Sequence, residues 1–174
     1  MQRPPMDMVD IVDEEDRIIG AASRQEAHDR FLRHRFVQVM VQGPDGRFLL
    51  QRRSMRKLKG PGLFDASVGG HVDQGEDYFV AAIRESGEEL GLPANGVYEL
   101  LGKITDVSPG VENMVGRLYL HRTGGPFVGW EAEADLLEWM ALAELAHMTA
   151  RFPYLFTGGM LSSAALLAGV MPPR

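Results

Sequence analysis

The run of residues from Gly70 to Leu92 constrains this chain more than any other part of its sequence. It reads GHVDQGEDYFVAAIRESGEELGL, and its apolar residues recur at helical spacing. Glu85, Glu88 and Glu89 stand at positions i, i+3 and i+4, so a helix would place their carboxylates on one face. Gathered carboxylates repel one another unless a hard cation lies among them. The run therefore predicts either a metal site on a helix or a solvated acidic helix face, which is common in soluble proteins.

Composition narrows the class of protein around this run. The chain has 174 residues, of which 45% are hydrophobic and 24% charged, and we expect one domain spanning residues 1–174. Its formal net charge of −6 argues against a nucleic-acid partner. It contains no cysteine, which excludes disulfides, thiolate metal sites and cysteine nucleophiles. This composition is compatible with the cytoplasm, the location we predict.

No segment of the sequence favours a membrane partner. The first ten residues lack the apolar core of a signal peptide. The most apolar stretch, residues 154–170, is interrupted by two glycines and two serines and is short for a membrane span. We predict that it is a terminal helix that faces the core.

The order of predicted elements indicates an α/β or α+β fold. Turn residues and apolar alternation predict strands and helices along the whole chain. The expected strands are 8–12, 17–22, 36–41, 48–51, 65–72, 98–105, 114–121 and 136–140, and the expected helices are 25–33, 78–90, 142–147 and 154–170. Gly91 is expected to end the central helix.

The same run closely resembles the signature of the Nudix hydrolases, G-x5-E-x7-R-E-U-x-E-E-x-G-U, where U is a bulky apolar residue. All seven fixed positions match: Gly70, Glu76, Arg84, Glu85, Glu88, Glu89 and Gly91. Ser86 departs from the first U, and we expect its hydroxyl to bond back to the preceding helical turn. The resemblance implies an α/β/α sandwich around a mixed sheet. Its parts would be a hairpin and short helix (8–34), a core (35–147) with the motif at 70–92, and a terminal helix (148–174).

The resemblance also implies a chemistry. Glu85, Glu88 and Glu89, with the carbonyl of Gly70, would hold Mg²⁺, for which Mn²⁺ could substitute. The metal would orient a diphosphate and activate a water that cleaves the phosphoanhydride bond. Arg84 would pair with the first motif glutamate and hold the loop onto the helix.

A second resemblance, to type 1 isopentenyl-diphosphate isomerases, spans residues 9–145. It is carried by LRHRF (32–36), QRRSMRK (51–57), PGLFDASVGGH (61–71) and VEN (111–113). Gly69 stands where the isomerases carry a catalytic cysteine, and Met114 where they carry a second catalytic acid. Neither side chain transfers protons, so we expect an isomerase relative without isomerase activity. The isomerase metal positions His34, His71 and Glu112 persist, and whether they hold a second metal stays open.

Further residues are predicted to contact the substrate or to take part in catalysis. The basic segment with Arg52, Arg53 and Lys57 would bind diphosphate, and His71 and Glu112 would also contact the substrate. Glu133 lies six residues before Trp139 and matches a family position that completes the metal site or acts as general base. Glu88 is the alternative base.

Three functions remain open from the sequence. The first is a Mg²⁺-dependent hydrolase of a nucleoside diphosphate derivative or another organic diphosphate. The second is an isomerase-like protein that acts on or binds an isoprenoid diphosphate, and the third is a non-catalytic binding module. We expect a small-molecule diphosphate as partner, and a monomer or homodimer.

Overall fold

The computed structural model describes residues 7–108 and 111–171. In these ranges it contains nine strands and four α-helices. The strands are β1 (Met8–Val12), β2 (Ile18–Ser23), β3 (His34–Gln42), β4 (Phe48–Arg53), β5 (Phe64–Asp65), β6 (Val68–His71), β7 (Tyr98–Ser108), β8 (Glu112–Arg122) and β9 (Ala134–Met140). The helices are α1 (Arg24–Asp29), α2 (Tyr78–Leu90), α3 (Leu142–Arg151) and α4 (Gly158–Val170).

The central strand of the sheet is β3. It pairs antiparallel with β1, β4 and β6, and parallel with β8 over its whole length from His34 to Gln42. The remaining pairs are all antiparallel. Strand β7 pairs with β8, strand β2 pairs with β1, and β4 pairs with both β5 and β9. One parallel pair among antiparallel pairs makes the sheet mixed, as predicted.

Alternation along β3 builds a core on each face of the sheet. Phe36 and Met40 pack with the apolar residues of α3 and α4. Val37, Val39 and Val41 pack with those of α2. Because side chains of a strand point to opposite faces in turn, this single apolar strand separates two helical layers. The architecture is the predicted α/β/α sandwich.

Local signals at both ends determine the bounds of α2, which are the predicted ones. The Asp77 side chain caps the first turn by accepting a hydrogen bond from the amide of Phe79 at 2.8 Å. The helix ends at Gly91, whose φ of +65° lies in the left-handed region. Amides of Gly91 and Leu92 then donate to the carbonyls of Gly87 and Ser86.

An ionic network holds the N-terminal hairpin against the sheet and α2. Asp16, in the β1–β2 turn, accepts hydrogen bonds from Arg35 at 2.7 Å, and from Arg117 and the Tyr78 hydroxyl at 3.0 Å. The Tyr78 ring also lies beside both guanidinium groups, 5.2 and 4.7 Å from their central carbons. The network joins the hairpin, and with it α1, to the body of the protein.

Several predicted bounds were wrong. Helix α1 ends at Asp29 rather than at 33, and α3 continues to Arg151 rather than stopping at 147. The predicted terminal helix (154–170), and the C-terminal part given as 148–174, are divided. A 3₁₀ turn at Pro153–Leu155 is followed by two extended residues, Phe156 and Thr157, before α4 begins at Gly158. The reason is a helix cap, since the Thr157 side chain accepts from the Met160 amide. Residues 172–174 of that prediction lie outside the described ranges.

Within the part of the chain that is described, no helix combines the length and the apolar character needed to span a membrane.

Candidate functional site

A cavity of about 650 Å³ opens between α2, the end of β6, the segment 53–63 and the start of α4. Most of the predicted site residues line it: Arg53, Lys57, Gly70, His71, Arg84, Glu85, Glu88, Glu89, Glu112 and Glu133. The fold thus brings together residues that lie up to eighty positions apart in the sequence.

One wall of the cavity is acidic. Glu85 and Glu89 are buried, whereas Glu88 is exposed. A carboxylate oxygen of Glu89 accepts from the Gly69 amide and from Gln51, each at 3.2 Å. Burial raises the pKa of Glu89 well above its ordinary value, and the neighbouring carboxylates raise it further. Burial also raises the pKa of Glu85, against the opposing effect of Arg84.

The guanidinium of Arg84 organises this wall. It donates two hydrogen bonds to the carboxylate of Glu76, at 2.9 and 2.8 Å, one to Glu85 at 2.7 Å and one to the His71 carbonyl at 3.0 Å. The pairing implied by the family resemblance is therefore present. Hydrogen bonds to Glu76 are the largest cause of the raised pKa of Arg84, which stays charged. Arg84 ties the loop before α2 to the helix.

Gly70 leaves room for the Glu85 carboxyl group, which packs against its Cα. A methyl group built on Gly70 would overlap that carboxyl group. Gly69 next to it is different, since a methyl group there would meet Gln38 at an ordinary 3.6 Å.

The donor atoms of the acidic wall suit a hard divalent cation. Carboxylates and a backbone carbonyl are the ligands that Mg²⁺ and Mn²⁺ prefer. Two of the glutamates are buried side by side, and Arg84 is the cation that contacts Glu85 and, at 3.5 Å, Glu88. A second positive charge would offset the remaining repulsion, so the residues present fit a bound metal.

The basic side of the cavity differs from the prediction in its details. Arg53 donates to Asp65 at 3.0 Å and twice to the Lys59 carbonyl, so its guanidinium holds the loop. Lys57 forms an ion pair with Glu133. Arg52 is exposed, lies outside the cavity lining, and donates to the Gly62 carbonyl. Because neighbours on a strand point to opposite faces, β4 cannot direct Arg52 and Arg53 to one site.

Three histidines meet close to the acidic wall, and two of them, His28 and His71, line the cavity. His28, His34 and His71 offer ring nitrogens that lie within 4.8 Å of one another. No equally close group of donor atoms is found for the three glutamates in the described ranges. Burial lowers the pKa of all three imidazoles, most strongly at His71. The neighbouring Glu112 contacts His28 and Lys59.

His28 and Lys59 were missed by the sequence reasoning. His28 lies in α1 and Lys59 in the segment LKGPGL, which was interpreted only as a loop. The spacing of His28, six residues before His34, was a weak signal, and Lys59 carried none.

Two further expectations can be compared with the site. Gly69 and Met114, at the isomerase positions, both line the cavity, and neither offers a proton donor or acceptor there. The expected bond from Ser86 to the preceding turn is absent: its hydroxyl is buried without a hydrogen-bond partner. The buried Tyr98 hydroxyl is its neighbour: burial raises the pKa of Tyr98, and the smaller effect of Ser86 lowers it.

Comparisons with known proteins point to the same family as the sequence motif on α2. The family model described as NUDIX domain matches residues 32–156. A Yersinia pestis protein named an uncharacterized Nudix hydrolase is 36% identical over 145 residues, which cover 80% of this chain and 76% of that protein.

Two other comparisons bear on the branch and the fold. The isopentenyl-diphosphate Delta-isomerase of Serratia proteamaculans is 31% identical over 153 residues, covering 87% of this chain and 86% of that enzyme. A crystal structure from Deinococcus radiodurans superposes with a TM-score of 0.74 at 26% identity, covering 91% of this chain and 98% of that one. With the motif on α2 and the family model spanning well over half of the chain, this protein belongs to the Nudix hydrolases.

Proposed function

We propose that this chain hydrolyses a phosphoanhydride bond in a nucleoside diphosphate derivative or another organic diphosphate, with Mg²⁺ at Glu85, Glu88 and Glu89. Mn²⁺ would substitute for Mg²⁺, and the carbonyl of Gly70 would be a further ligand. The bound metal would neutralise the diphosphate and lower the pKa of a coordinated water. The protein's own residues orient the carboxylates and supply cations around the phosphates.

The observation that carries the proposal is the arrangement of charges across the cavity. The cavity that holds the acidic wall of α2 is also lined by the cations Arg24, Lys57 and Lys59. Carboxylates alone would repel a diphosphate, and cations alone would leave no place for the metal. Acidic residues and cations that line one cavity fit a diphosphate bound together with a metal.

Two carboxylates are candidates for the general base. Glu133 is oriented by its ion pair with Lys57 at the edge of the cavity. Glu88 is more exposed, and its Arg84 contact is longer than an ordinary hydrogen bond, so it is free to rotate toward a water. We place the metal on the helix glutamates and assign the base to Glu133, with Glu88 as the alternative.

The other two functions have less support. An isomerase needs a proton donor and an acceptor on opposite faces of an alkene, and Gly69 and Met114 supply neither. A binding module has no need for three metal-binding carboxylates, two of them buried at an energetic cost. The expected cytoplasmic location, small-molecule partner and monomer or homodimer are part of the proposal.

The test is a phosphate-release screen with Mg²⁺ on the intact protein. The panel would contain nucleoside di- and triphosphates, nucleotide sugars, dinucleotide cofactors, coenzyme A and isoprenoid diphosphates. We expect turnover of one class, and loss of that turnover in Glu88→Gln and Glu89→Gln. Glu99→Gln is the matched control, because Glu99 pairs with Arg122 on the surface, away from the cavity.

Two outcomes would contradict the proposal. Turnover that survives in both glutamine variants would remove the metal assignment. Silence across the panel in protein that binds Mg²⁺ would favour a binding role. Deuterium incorporation into isopentenyl diphosphate in heavy water would show isomerase activity instead.

A further inference from the structure

The histidine cluster, formed by His28, His34 and His71, has the donor atoms of a transition-metal site. The His34 Nδ1 contacts the Leu32 carbonyl at 2.9 Å. Because a carbonyl only accepts, Nδ1 carries the proton, and in the neutral ring the lone pair is on Nε2. That Nε2 and the Nε2 of His71 are both buried without a hydrogen-bond partner. With His28 and Glu112, they form a set that resembles the isomerase metal positions.

A cation from the chain itself already lies in this cluster. The ammonium of Lys59 is 2.7 Å from the Nδ1 of His28 and 3.0 Å from an oxygen of Glu112. Lysine can only donate, so His28 Nδ1 accepts from it and carries no proton. The other oxygen of Glu112 lies 3.0 Å from the same nitrogen and is buried without a hydrogen-bond partner.

The loop holds Lys59 in this place. Arg53 donates two hydrogen bonds, at 3.2 and 3.1 Å, to the backbone carbonyl of Lys59. Arg53 itself is anchored by its ion pair with Asp65. The following residue, Gly60, has a φ of +56°, which lets the chain turn away directly after the lysine. The backbone of Lys59 is thus tied to β4 while its side chain reaches the histidines.

We propose that Lys59 is the resident cation of the His28–His34–His71–Glu112 cluster and excludes a divalent metal ion from it. A metal there would need the lone pair of His28 and the carboxylate of Glu112, at bond lengths near 2.1 Å. The Lys59 ammonium uses both, and its positive charge would lie next to the ion. The glutamates of α2 would then be the metal centre of this cavity. The inference does not depend on which substrate is hydrolysed.

The chain offers a gain-of-function test that needs no activity assay. Lys59→Met removes the charge and leaves an unbranched side chain one heavy atom shorter, so the cluster should acquire a site for Co²⁺ or Zn²⁺. Binding would be measured by titration calorimetry and by the visible absorption of Co²⁺, with Mg²⁺ in excess to occupy the glutamates. We expect Lys59→Met to bind Co²⁺ at least tenfold more tightly than the wild type.

Three controls separate charge from other effects. Lys59→Arg keeps the charge and should not acquire the site. Lys57→Met removes a neighbouring lysine that pairs with Glu133 and should not acquire it either. His28→Gln in the Lys59→Met protein should abolish the acquired binding, because it removes one of the ring nitrogens of the cluster. His28 is partly exposed, so the fold should tolerate this change. Circular dichroism would verify that each variant is folded.

Several results would overturn the proposal. Tight Co²⁺ binding by the wild type that disappears in His28→Gln would show that the lysine does not exclude the metal. The absence of any gain in folded Lys59→Met protein would show that the cluster is not a latent metal site. If Lys59→Met does not fold, Lys59→Gln serves in the same experiment.

Discussion

The carboxyl group of Glu85 packs directly against the Cα of Gly70, in a space that a methyl group would fill. We expect Gly70→Ala to displace Glu85 and to cost about 1–3 kcal/mol in the free energy of unfolding. Mg²⁺ affinity should fall as well. Urea denaturation and calorimetric Mg²⁺ titration would measure both quantities. Gly69→Ala is the control, because its methyl group meets Gln38 at 3.6 Å. Equal behaviour of the two variants would contradict the steric explanation.

Arg84 joins Glu76, Glu85 and the His71 carbonyl through four hydrogen bonds. Lysine keeps the charge but cannot present this planar fork, so Arg84→Lys should lower the free energy of unfolding by about 1–3 kcal/mol. The Arg84–Glu76 ion pair is partly exposed, so the expected loss of stability is smaller than for a fully buried ion pair.

Urea denaturation would measure this change. Arg17→Lys is the matched control, since Arg17 pairs with Asp13 and Glu15 on the exposed β1–β2 turn. No measurable change is expected there. An Arg84→Lys protein as stable as the wild type would show that one ion pair with Glu76 is sufficient.

Glu89 makes the metal-free protein less stable than it could be. Burial raises the pKa of Glu89 in the folded protein. Above a pH of about 4.3, the ordinary pKa of glutamate, the unfolded chain releases this proton while the folded chain keeps it. The free energy of unfolding therefore falls as the pH rises from about 4.3 toward the folded pKa. Glu89→Gln removes this loss and should be more stable than the metal-free wild type at pH 8, by roughly 1–3 kcal/mol.

Thermal unfolding in a chelator at pH 5.5 and pH 8 would measure that difference. Added Mg²⁺ should stabilise the wild type and have little effect on Glu89→Gln. The glutamine oxygen can still accept from Gly69 and Gln51, which keeps the local hydrogen bonds. A variant less stable than the wild type at pH 8 would show that the charged carboxylate is compensated by its neighbours.

The Lys57–Glu133 ion pair should be more important for turnover than for stability. Both side chains are about one-third exposed, and exposed pairs contribute less than about 1 kcal/mol. Glu133→Gln should lower kcat at least tenfold, since it removes the proposed base.

The size of the kcat effect distinguishes a base from a residue that only orients it. Lys57→Met removes the orienting cation and should lower kcat less than Glu133→Gln does. A kcat that is unchanged in Glu133→Gln would remove Glu133 as the base and favour Glu88.

The central helix and its chemistry could be predicted because their causes are local. The spacing of Glu85, Glu88 and Glu89, the Asp77 cap and the left-handed Gly91 lie within one short segment. The turn at residues 43–46, where the Gly46 amide donates to the Gly43 carbonyl, is local in the same sense. Signals of this kind indicated the order of the elements, and that order gave the α/β or α+β class. The family resemblance added the layers and the Arg84–Glu76 pair.

The sequence by itself therefore determined the helix, its acidic face and the class of fold. Only the tertiary structure decided the partners of the basic residues and the meeting of His28, His34, His71 and Lys59. These side chains come from α1, β3, β6 and a loop, and no periodicity relates their positions. Arg53 is engaged with Asp65 and the Lys59 carbonyl because β4 passes beside both. Long-range contacts of this kind depend on how the strands pair, which the spacing of residues along the chain does not encode.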